Sequence, residues 1–221
     1  YDVKKEEAVA DCWYHQLAYW VIEDIFDTIE AMNSGHENVL TAPVKRLLSL
    51  SFTMGLKRPR SGGGVFRGVR GRGGTGQQSK ENADRPVYVV SEKDGLTESC
   101  TGRYCGEDIH TIHFNVAFVV KATDVLPLMD ELCSVKEHPF KGYPNGQEPA
   151  QTFKHNQITV LESKIGCVNP REMTHRNYRY GQGNAIELDL ICEYVLKTKG
   201  YQELLPEPVK KTLAGEEEEK R

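Results

Sequence analysis

Between Asp108 and Leu196 the chain carries a strand, an amphipathic helix and two further strands, and this run limits the fold more than any other feature. In residues 109 to 120, Ile112, Phe114, Val116, Phe118 and Val120 fall on one side while His113, Asn115 and Ala117 fall on the other. That period of two is the mark of a strand with one apolar face. Thr123 or Asp124 is placed to cap a helix, with Pro127 in its first turn where a missing N–H costs little. Val125, Leu128, Met129 and Leu132 recur at helical spacing and give it one stripe to dock on a sheet. Residues 158 to 168 read as a second strand whose apolar phase slips at Val160-Leu161, the signature of a bulge. Residues 184 to 196 read as a third, with Ile186, Leu188, Leu190, Cys192, Tyr194 and Leu196 inward and Glu187, Asp189 and Glu193 on an outward rim.

Upstream, residues 8 to 33 predict a long helix. Trp13, Leu17, Trp20, Val21, Ile25, Ile29 and Met32 follow helical spacing, and Tyr14, Ala18, Ile22 and Phe26 widen the stripe. A stripe this broad needs apolar partners on two sides. Asn33-Ser34-Gly35 is a helix stop. In residues 44 to 54, Leu48, Leu50, Phe52 and Met54 alternate with Ser49, Ser51 and Thr53, which predicts a half-buried strand.

Residues 55 to 80 break all periodicity. They hold seven basic residues and no acid, and nine of the first 22 are glycine, too few apolar groups to offset the entropy of ordering. The segment is expected to be a flexible insertion. Residues 87 to 90 follow as a short edge strand, and residues 136 to 152 as a polar loop. A short helix is expected from 207 to 213, then an acidic tail. The expected divisions are 1–54 (helix and strand), 55–85 (Gly/Arg-rich insertion), 86–215 (the βαββ domain with its C-terminal helix) and 216–221 (tail). The fold class is α+β.

The order strand, helix, strand, strand, with the phrase from Thr123 to Leu132, resembles the ferredoxin-like periplasmic domain of PilO-type pilus and secretion-alignment proteins. The runs 19–24, 42–46, Tyr180-Gly181 and 205–207 are similar to uncharacterised proteins of planctomycete-type bacteria. The resemblance spans about two thirds of the chain, without the Gly/Arg insertion and the tail. It implies an inner-membrane anchor upstream, a helical stalk and a periplasmic domain that pairs through sheet or helix contacts, with no catalytic residues. The opening at Tyr1 in place of a methionine fits an expected upstream segment, and no stretch of this chain approaches the roughly 20 apolar residues of a membrane span. The long basic insertion departs from that family's pattern.

Chemical motifs are sparse. Gly71 to Gly76 matches G-x-G-x-x-G by letter but lacks the preceding strand and following helix that nucleotide binding needs. Arg67, Arg70 and Arg72 among glycines have the composition of a cationic RNA-binding string, and make RNA or single-stranded nucleic acid the alternative ligand. The net charge of −4 weighs against it. Cys100, Cys105, His110 and His113 give a C-x4-C-x4-H-x2-H string with zinc-ligand types. Yet His110 and His113 are an odd number of positions apart on a strand and should point to opposite faces. Cys100 and Cys105 could instead bridge each other, while Cys133, Cys167 and Cys192 sit in apolar patterns and are expected to be buried thiols. No nucleophile elbow or Ser/His/Asp spacing is present, so the expected role is non-catalytic, with no cofactor and no metal. The expected contact residues are Trp13, Trp20 and Phe26 on the first helix and Val87 and Val89 on the edge strand, facing further copies of the chain or other assembly subunits.

Overall fold

A computed structural model describes residues 5–52, 85–89, 101–140, 151–154, 158–181 and 183–214. Helix α1 (Lys5–Asn33) leads into strand β1 (Val44–Ser51), and after residues 85–89 comes β2 (Ile109–Lys121). A single 3₁₀ turn passes into α2 (Val125–Leu132), followed by a hairpin of β3 (Glu137–Phe140) and β4 (Gln151–Lys154). Then come β5 (Ile158–Cys167), β6 (Ala185–Lys197), the one-turn α3 (Thr198–Tyr201) and α4 (Glu207–Leu213).

The main sheet has the order β1-β2-β6-β5, antiparallel throughout. The architecture is α+β, with α1 packed against α2, α4 and β1. Its two central strands are the two with the longest unbroken alternation, and they pair without a register shift from Ile109↔Lys197 to Lys121↔Ala185. Phe114 lies opposite Cys192, Val116 opposite Leu190 and Phe118 opposite Leu188, all at or below 2% exposure. Leu17, Val21 and Ile25 of α1 and Leu128 and Leu132 of α2 close over this face. Each such side chain contributes about 1.5–3 kcal/mol relative to leaving it in water.

Two polar ties fix α1 on the sheet. Asp24, fully buried, accepts a 2.8 Å hydrogen bond from the Tyr194 hydroxyl. At the helix end Asn33 accepts from the Val44 N–H at 2.9 Å and donates to the Val44 carbonyl at 3.0 Å, so it acts as a strand partner for the first residue of β1. Gly35, with φ +80°, supplies the left-handed turn at the expected helix stop.

Several expectations change. β1 carries two bulges, between Val44 and Arg46 and between Leu47 and Ser49. They shift the phase so that Leu47, Leu50 and Phe52, and not Leu48, pack on the core. The bulge expected at Val160-Leu161 is present, between Val160 and Glu162. The loop expected over 136–152 holds the β3–β4 pairing, which its prolines and glycines had hidden. Neither Thr123 nor Asp124 caps α2 through its side chain; Asp124 lies 3.8 Å from Lys121 Nζ instead. Cys192 is buried as expected, but Cys133 is only half-buried and Cys167, at the end of an edge strand, is exposed. No helix among the described residues is long and apolar enough to cross a membrane.

Candidate interaction surface

Helix α1 is too apolar for the surface it covers. Its inner face buries Trp13, Tyr14, Leu17, Val21 and Ile25, yet Tyr19, Ile22 and Phe26 remain outward, the last at 55% exposure. Two open grooves flank this ridge. The first, of ≈ 500 Å³, runs beside the N-terminal half of the helix and is lined by Cys12, Trp13, Trp20, Leu204 and Pro206 among others. The second, of ≈ 460 Å³, lies between α1 and β1 and is lined by Ile22, Phe26, Leu47, Leu50 and Phe52 among others. The helix is also acidic, with seven Asp or Glu against one lysine. An apolar ridge with adjoining apolar grooves and a charged border is the composition of a contact surface.

The five expected contact residues separate into three groups. Phe26 and Val87 are exposed, at 55% and 59%, and Trp20 is half-buried at a groove edge. Trp13 and Val89 belong to the core, at 6% and 1%. Trp13 donates from Nε1 to the Tyr88 hydroxyl at 2.7 Å, stacks on Tyr201 with centroids 5.9 Å apart, and meets the Trp20 ring edge-on at 5.8 Å. Helical periodicity alone cannot separate the two tryptophans, because both lie on the same broad stripe. Val89 is held against β2 by its N–H donating to the Thr111 carbonyl at 2.8 Å, and Tyr88 bridges to Ile112. Residues 85–89 thus continue the edge that β1 leaves at Asn115, and only Val87 of the expected edge pair points outward.

Beneath Trp13 the aromatic cluster continues to His110, whose Nδ1 meets the Tyr201 hydroxyl. Burial holds the His110 imidazole below its ordinary pKa and pushes the phenols of Tyr88 and Tyr201 upward. Cys105 has a free thiol, pushed up to about 11 by burial. His113 faces the opposite side of the sheet, 3.3 Å from Glu193. The odd spacing therefore separates the two histidines as expected, which removes them as common zinc ligands. Cys100, the other partner in both the zinc and disulfide readings, lies outside the described residues, as do Arg67, Arg70 and Arg72.

On that opposite face, the outward rim expected on β6 is covered. Glu193 is fully buried and Asp189 is 8% exposed. Glu193 takes a 2.9 Å ion pair from Arg103 Nε and hydrogen bonds from Thr101, with His113 beside it. Burial raises its pKa, but these partners outweigh burial and hold the carboxyl below its usual range. Asp189 accepts from Asn115 Nδ2 at 2.9 Å. A carboxylate whose oxygens are occupied by fixed protein donors is stabilised as an anion and works as a structural acceptor.

The third carboxylate of the row, Glu187, meets the loop between β5 and β6, which carries no periodic or motif signal in the sequence. Glu172, His175 and Glu187 bring their ligand-type atoms within 4.8 Å of one another, and they are the group among the described residues able to hold a metal. Glu-x-x-His is too common in loops to have signalled it, and Glu187 comes from the following strand. Comparison with known family models, curated proteins and solved structures gives no match for this chain.

Proposed function

We propose that the chain is a non-catalytic subunit of an envelope-associated assembly, pilus- or secretion-like, that works by docking helix α1 and the adjoining sheet edge on its partners. The observation that carries this reading is the outward ridge of Tyr19, Ile22 and Phe26 between two apolar grooves. Leaving such side chains in water costs stability and is retained where a partner covers them. In this reading the fold is ferredoxin-like. β2, α2, β5 and β6 form its βαββ unit, with β6 inserted between β2 and β5. The helix–strand pair α1–β1 completes the layer, with β1 flanking β2. The reading places the domain at the periplasmic face of the inner membrane, held there by a preceding anchor.

The test is a charge substitution on the ridge. In the double variant Ile22→Glu/Phe26→Glu, cross-linking in envelope extracts and self-association by light scattering should both be lost. The urea midpoint should stay within error, because both side chains are already exposed. A parent chain that is strictly monomeric and gives no cross-linked product in the envelope would end this proposal.

A further inference from the structure

We infer that Glu172, His175 and Glu187 form a binding site for one divalent transition-metal ion of the Mn²⁺ or Zn²⁺ type. The three donors come from two elements. Glu172 and His175 sit in the loop after β5, where His175 N–H and Arg176 N–H both donate to the Glu172 carbonyl, at 3.0 and 2.8 Å. That local turn puts side chains three apart on one side. Glu187 is the third residue of β6 and projects from the sheet face opposite the core, because its neighbours Ile186 and Leu188 face inward.

The imidazole is fixed before any ion arrives. His175 is 1% exposed, with Nδ1 at 2.8 Å from the Tyr180 hydroxyl and Nε2 at 2.6 Å from Glu187 Oε1. With a carboxylate that can only accept, Nε2–H donates to Glu187 and Nδ1 accepts from the Tyr180 hydroxyl. An ion taking the place of the Nε2 proton would shift the ring hydrogen to Nδ1, where the Tyr180 oxygen can accept it, the bond that orients a ligating histidine. The loop around it is pinned from outside the cluster. Arg46 donates to the Thr174 carbonyl at 2.7 Å and lies 3.6 Å over the Tyr178 ring, and Tyr178 stacks on Tyr180. Gly181, at φ +84°, passes so close to Leu40 that a Cβ there would fall 2.3 Å from its carbonyl oxygen. A loop held from outside at Thr174, Tyr178 and Gly181, around a buried histidine and two converging carboxylates, is a preorganised donor set.

The chemistry of the set narrows the ion. One neutral imidazole and two carboxylates carry two negative charges, which a divalent cation balances and whose mutual repulsion it relieves. Imidazole with carboxylates suits Mn²⁺, Fe²⁺ or Zn²⁺; Ca²⁺ asks for six to eight oxygens, and Cu⁺ for thiolates. Glu172 and Glu187 are only partly covered, so water can complete the coordination sphere from that side.

Exposed Cys12 and Cys167 would also take zinc, so the probes are Mn²⁺ followed by electron paramagnetic resonance and Co²⁺ followed by visible absorption. The whole chain is first treated with chelator and dialysed. One equivalent of each ion should bind, with Co²⁺ showing ligand-field bands and no thiolate charge-transfer band. Glu172→Gln, which leaves both His175 bonds in place, should weaken binding at least about tenfold with an unchanged far-ultraviolet spectrum, and Tyr180→Phe should weaken it by a similar factor. Should Glu172→Gln fail to fold, Tyr180→Phe decides. No saturable Mn²⁺ binding, a thiolate band with Co²⁺, or unchanged affinity in the folded variants would overturn the assignment.

Discussion

Truncating Trp13 tests the division between core and surface on α1. The side chain is 6% exposed, stacked on Tyr201, edge-on to Trp20 and hydrogen-bonded to Tyr88. Burying an aromatic this way makes Trp13→Ala cost about 3–5 kcal/mol, the sum of lost transfer energy and the cavity left behind. The site borders an open groove, so water can enter part of the space, and the low end applies: about 3 kcal/mol. With a urea m-value of roughly 2 kcal/mol/M for a domain of this size, the midpoint should fall by about 1.5 M. Phe26→Ala, at 55% exposure on the same helix, should move it by no more than about 0.25 M, the equivalent of 0.5 kcal/mol. Equilibrium urea unfolding, followed by far-ultraviolet circular dichroism so that the lost tryptophan does not bias the signal, measures both. If the two midpoints shift alike, Trp13 is not a core anchor and the separation of the stripe into two faces is wrong.

The Glu193 carboxyl is held below its ordinary range by His113, Arg103 and Thr101 despite its burial, so it stabilises the fold fully above its unfolded pKa of about 4.3 and loses that contribution as pH falls through the lower native value. Urea midpoints between pH 7 and pH 3 should therefore drop more steeply for the parent than for Glu193→Gln; equal slopes would remove Glu193 from the acid response. Gly181→Ala should cost about 1–3 kcal/mol in backbone strain, with further loss from the clash with Leu40, whereas Gly35→Ala meets nothing within 4 Å and should cost only the strain. Thermal melts of the two variants would refute the close approach at Gly181 if they coincide.

Alternation along 109–120 and 184–196 was enough to specify two strands and their inward sets, because a period of two has one meaning when both strands are long; that they pair with each other at the centre of the sheet came from the structure. The helical stripe of 8–33, its stop at Gly35 and the slipped phase in β5 were legible for the same reason: each is a local pattern enforced by local geometry. The chain text could not say which of Trp13 and Trp20 is covered. That depends on α3 and the segment 85–89, brought under the helix from 188 and 75 positions away for the Trp13 contacts with Tyr201 and Tyr88. Nor could it show that Glu187, Asp189 and Glu193 are clamped by His175, Asn115 and Arg103, since alternation marks them only as facing away from the core. A second covered face arises from what the tertiary structure lays over it. Periodicity reports which side of a strand a residue takes, and only long-range packing decides whether that side meets water.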